Sequence, residues 1–97
     1  MNDTASIDQG LDPRRRKLRF RAWHRGTREM DLLLGPYTDH IIATISDEDL
    51  PILEALIEVP DQHLFAWVSG RETVPDNYNS NVFQGLVQFH TDRPQVL

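Results

Sequence analysis

The residues best suited to chemistry are charged and lie close together. Arg25-Gly26-Thr27-Arg28-Glu29-Met30-Asp31 places two guanidinium groups and two carboxylates within one short stretch. A guanidinium donates forked, charge-assisted hydrogen bonds and a carboxylate accepts them. Such a segment suits recognition better than bond breaking. Residues 13–28 carry Arg14, Arg15, Arg16, Lys17, Arg19, Arg21, Arg25 and Arg28 and no acid. Residues 1–12 hold Asp3, Asp8 and Asp12, and residues 29–97 hold twelve acids against Arg71 and Arg93. The formal charge of −5 therefore conceals a dipole that can steer association with a charged partner.

Two functions fit that basic stretch. It could bind phosphates, with Phe20 and Trp23 stacking on bases, which would make the chain a nucleic-acid-binding regulator. The acidic whole, with a pI near 5.2, is unlike the basic domains that bind nucleic acid. A docking surface for an acidic protein patch, with Arg28 inside the Arg25–Glu29 segment and Arg21 one turn before it, fits better.

Other chemistries lack their residues. The chain has no cysteine, which removes disulfides, thiolate metal sites and cysteine nucleophiles together. His24, His40, His63 and His90 form no HxxxH or HExxH pattern, so no metal site is expected. The five glycines are scattered and build no phosphate loop. No catalytic residue is expected, and the reading is an accessory protein rather than an enzyme. No apolar run approaches the roughly 20 residues of a membrane span, and the polar, acidic start reads as neither signal nor transit peptide. A bacterial cytoplasm is the expected compartment.

The elements that must position Arg25 to Asp31 are helices. Asp12-Pro13 is an N-cap followed by Pro at the first helical position, and nothing breaks the helix before about Arg25. Leu18 and Ala22, with Trp23 beside them, form a narrow apolar stripe. Gly26 stands where the chain needs positive φ to leave the helix, and Thr27 is the N-cap of a second helix with Glu29 and Asp31 at its positive end. Met30, Leu33, Leu34, Tyr37 and Ile41 recur as a buried helical face, which Gly35-Pro36 should kink or break. A third helix, capped around Ser46–Asp49, buries Leu50, Leu53, Leu56 and Ile57 and ends at Pro60. A short fourth helix, capped by Asp61 and closed by Gly70, places Leu64, Trp67 and Val68 in the core. Residues 71–80 read as a loop. A fifth helix over about Asn81–His90 buries Val82, Phe83, Leu86 and Val87. The expectation is an all-α, compact five-helix bundle with short loops over residues 13–91, a flexible acidic N-terminal tail over 1–12 and a frayed tail over 92–97.

On capping and spacing alone, Arg25 to Asp31 could be an ordinary helix junction. As a motif, RGTREMDLLLGPY resembles the RGxxE signature of the SdhE family, the small assembly factors that promote flavinylation of succinate dehydrogenase. The likeness continues through Ile45-Ser46-Asp47-Glu48 and through Asp61-Gln62-His63-Leu64-Phe65-Ala66-Trp67, followed by Gly70-Arg71, and covers roughly residues 14–90. Thr27 and His24 depart from the family pattern, which often has Met and Arg there. The resemblance implies a five-helix bundle that binds the flavoprotein subunit of succinate dehydrogenase, with fumarate reductase a second candidate client, and promotes covalent attachment of FAD. It implies that FAD and the histidine receiving it belong to the partner, and that this chain binds no cofactor tightly. Carried over by position, the partner-binding residues are Arg25, Gly26 and Glu29, with Asp31 at the following acidic position.

Overall fold

The computed structural model describes residues 8–93, and the chain divides after Ile45 into two compact units. Among the described residues there are five α-helices and no strand, as an all-α chain requires.

The first unit is a helical hairpin, α1 (Pro13–Trp23) and α2 (Arg28–Ile41). Asp12 caps α1 by accepting from the Arg15 backbone N–H at 2.8 Å, and takes Arg15 Nη1 at 2.8 Å. The backbone bond, aided by the Arg15 charge, holds the Asp12 carboxyl below its ordinary value of 3.8. A carboxyl lowered in the folded state stabilises the fold above its unfolded value, and that contribution is lost as pH falls through the folded value. Asp12→Ala should therefore flatten the acid limb of the stability profile, measured by far-UV circular dichroism melts between pH 6 and pH 3. Parallel profiles for variant and wild type would contradict this account of the cap.

Leu18 and Ala22 are buried on α1, and Met30, Leu33, Leu34 and Tyr37 on α2. Ile41 is only half-buried, and Ile42 takes the expected place in the core. The reason is a row at i, i+4 and i+8, formed by Leu34, Thr38 and Ile42, each with no exposed surface. The polar Thr38 hides that row from a hydrophobic pattern. Pro36 lies inside α2 without ending it. A single missing N–H is tolerated by a helix whose neighbouring turns are well buried.

Residues 1–7 of the expected acidic tail lie outside the described residues. The rest of that stretch is anchored. Leu11 is buried, its N–H donates to the Asp8 carbonyl at 3.1 Å, and its carbonyl accepts from Arg16 Nη1 at 2.5 Å.

The second unit holds α3 (Leu50–Ile57), α4 (Asp61–Ser69), a 3₁₀ turn (Asp76–Tyr78) and α5 (Asn81–Asp92). Pro51 falls in the first turn of α3, where its missing N–H has no partner to lose. Asp49 accepts from Asn81 Nδ2 at 3.1 Å, tying the start of α3 to that of α5. Leu50, Leu53, Leu56 and Ile57 are buried as the spacing predicts.

Pro60, rather than Asp61, occupies the N-cap position of α4, and Asp61 opens the helix. Gly70 closes it at φ +83°. Leu64 is buried, but Trp67 and Val68 are half-buried, so the core role expected of Trp67 is not met. Its indole instead lies between His63, stacked at a ring separation of 6.1 Å, and Tyr78, tilted against it at 5.2 Å. Tyr78 arrives on the 3₁₀ turn within the stretch read as loop. Ser80 caps α5 through the Phe83 N–H at 3.1 Å. The helix runs to Asp92, past the expected end, because Phe89 and His90 are buried along with Val82, Phe83 and Leu86; Val87 is half-buried. Residues 94–97 lie outside the described residues.

Candidate functional site

The turn between α1 and α2 is held by bonds from both helices. α1 stops at Trp23, two residues before the expected end, and His24 caps it with an N–H bond to the Arg21 carbonyl at 3.2 Å. The chain then reverses through Gly26 at φ +114°, a conformation that side-chain-bearing residues rarely adopt. A Cβ at Gly26 would meet nothing within 4 Å, so the requirement for glycine is one of backbone angle and not of internal space. Thr27 accepts from the Met30 N–H at 3.3 Å as N-cap of α2. Asp31, in the first turn of α2, accepts from the Arg25 backbone N–H at 2.7 Å. The junction is therefore preorganised.

The residues singled out by the sequence divide into groups. Gly26, Arg28 and Glu29 are exposed, whereas Arg21, Arg25 and Asp31 are half-buried. Gly26, Arg28 and Asp31 line an open depression of about 670 Å³ with Trp23, His24, Thr27 and Leu32. Arg21, Arg25 and Glu29 do not line it. Asp31 has a structural task, since its carboxylate fixes the backbone that carries Arg25.

Trp23, in the wall of the depression, is supported by three residues that the sequence did not single out for the site: Arg19, Gly35 and Asp39. Trp23 donates its Nε1 proton to Asp39 Oδ1 at 3.2 Å. The same carboxylate accepts from Arg19 through Nε at 2.5 Å and Nη2 at 3.2 Å. The indole lies so close to α2 that a Cβ at Gly35 would stand 2.4 Å from ring atom Cδ2. Gly35 thus provides the bed for Trp23, and Asp39 fastens it there. The signal was present as a glycine inside a helical pattern, which often marks close packing.

The basic stretch is less available than its composition suggests. Arg19 is 6% exposed and paired with Asp39. Arg15 donates to the carbonyls of Ile42 at 3.1 Å and Ile45 at 2.6 Å, satisfying the negative end of α2. Arg16 bonds the Leu11 carbonyl. With these three guanidiniums engaged internally, the phosphate-binding reading of α1 weakens. Among the described residues no group of acids and histidines could hold a metal ion, and no helix is long and apolar enough to cross a membrane.

Comparison with known proteins gives one consistent result. Residues 16–90 match the family described as flavinator of succinate dehydrogenase. The chain is 36% identical over 81 residues to the FAD assembly factor SdhE of Acetobacter pasteurianus, covering 84% of this chain and 74% of that protein. It is 42% identical over 55 residues to the protein of the same name from Shewanella oneidensis, covering 57% of this chain and 67% of that protein. The mitochondrial succinate dehydrogenase assembly factor 2 of Dictyostelium discoideum is 31% identical over 80 residues, covering 82% of this chain and 56% of that protein. No solved structure matches.

Proposed function

The chain belongs to the flavinator of succinate dehydrogenase family, and we propose that it works as an assembly factor whose α1–α2 junction binds that enzyme's flavoprotein subunit and promotes attachment of FAD to it. The observation supporting this site is the pinned turn, with Gly26 at φ +114° and Asp31 bonded to the Arg25 N–H. The chain holds no catalytic residue in this reading. FAD stays on the partner, and the partner supplies the side chain that receives it.

Attachment of a flavin requires the isoalloxazine ring and its acceptor to be held in a productive geometry. A helper can favour that geometry by binding it more tightly than looser arrangements of the partner, which shifts its population. Arg25 supplies a forked donor, Glu29 an exposed acceptor, and the open space around Gly26 admits the partner's backbone. The same surface would serve fumarate reductase, and the bacterial cytoplasm is where such a partner awaits assembly.

The test is to co-express the flavoprotein subunit with each variant and follow covalent flavin by in-gel fluorescence after denaturation. Arg25→Ala and Glu29→Ala should lower the signal while costing about 1 kcal/mol of stability or less. Gly26→Val should lose about 1–2 kcal/mol, because Val must leave the positive-φ region or bear its strain, and should also weaken the complex. Normal labelling with all three variants would reduce the junction to a helix connection.

A further inference from the structure

We propose that Phe20 and His24 form an aromatic anchor for an acidic face of the flavoprotein partner, beside the junction and distinct from its charged residues. This rests on the proposed partner-binding role of that junction. Phe20 is 62% exposed, the largest exposure among the big apolar side chains of the described residues. It is nonetheless held in place. Its ring stacks on His24 at 3.9 Å with an interplanar angle of 16°, and the Phe20 carbonyl lies 2.7 Å from His24 Nδ1. The carbonyl can only accept, so His24 donates to it from Nδ1 and remains stacked.

An exposed aromatic ring fixed before binding loses little conformational entropy on association, which is what makes such residues effective interface anchors. His24 also lines the depression containing Gly26, Arg28 and Asp31, so the stack is continuous with the junction. The charge around it identifies the partner surface. Exposed Lys17 precedes Phe20 by three residues on the same helical face, Arg16 lies one turn before Phe20 with its guanidinium turned to the Leu11 carbonyl, and residues 13–28 contain no acid. A cationic rim around an apolar centre fits an acidic surface with an apolar recess.

The experiment is titration of the purified flavoprotein subunit with the full chain and its variants, alongside thermal melting. Phe20→Ala should weaken binding by about 10- to 30-fold, mainly through faster dissociation, with little change in melting. Phe20→Leu, which keeps apolar bulk, should lose less. Lys17→Glu should chiefly slow association, and the difference from wild type should shrink at high salt.

Wild-type affinity for Phe20→Ala, with Gly26→Val impaired, would overturn the anchor and leave the junction standing. Wild-type affinity for both would remove the junction reading as well. Unchanged flavoprotein affinity for Phe20→Ala with loss of single-stranded oligonucleotide binding would also overturn the anchor, assigning the ring to base stacking.

Discussion

Asp39→Ala should destabilise the protein by about 3 kcal/mol, near the lower end for breaking a buried ion pair because Asp39 keeps some contact with water. The Arg19 side chain is 8% exposed and that of Asp39 is 22% exposed. Removing the carboxylate leaves the Arg19 guanidinium with only Asp8, at 3.4 Å, as a carboxylate partner among the described residues. The Trp23 N–H loses its acceptor in the same step. For a domain of this size the midpoint of thermal unfolding should fall by more than about 10 °C. Asp39→Asn retains an acceptor oxygen without the charge and should fall between the two. A midpoint within 2–3 °C of wild type for Asp39→Ala would show that water solvates Arg19 adequately and that the pair is not structural.

Gly35→Val should cost about 2–3 kcal/mol, although helix propensity by itself favours replacing glycine. Packing opposes that preference and wins. The Cβ alone would stand 2.4–2.7 Å from three atoms of the Trp23 ring, and Val adds two methyl groups beyond it. The indole must then swing out, losing its bond to Asp39 and altering the wall of the depression. Binding to the flavoprotein subunit should weaken with stability, and fluorescence of Trp23, read in a Trp67→Phe background, should shift to the red as the ring becomes hydrated. A more stable Gly35→Val protein would mean that propensity outweighs packing at this position.

Much of the fold was legible because its signals are local. Asp12, Thr27 and Gly70 act where capping chemistry places them, and the leucines of α3 and the first apolar residues of α2 face inward as their spacing predicts. What escaped depends on partners distant in sequence. Arg19 looks like one more cation on a solvated helix until Asp39, twenty positions later, comes beside it. Trp67 has the composition of a core residue, yet its ring packs tilted against Tyr78 from a segment without helical periodicity. Gly35 reads as a defect in α2 until Trp23 is placed against it. At the junction, residue types suggested which side chains matter; only the geometry separates exposed Glu29 from Asp31, which serves the backbone.

The Asp31 bond gives the motif a property that a list of its residues does not convey. Arg25 and Asp31 close a small ring, made partly of covalent chain and partly of one hydrogen bond. Its circumference is therefore set by residue count. One residue inserted within α2 between Arg28 and Glu29 would rotate the closing carboxylate by about 100° relative to the start of the helix, beyond reach of the Arg25 N–H. The interval between the arginine and the second acid is thus a structural quantity in its own right. A chain with all the same side chains at a different interval would have the letters of the motif without the clasp.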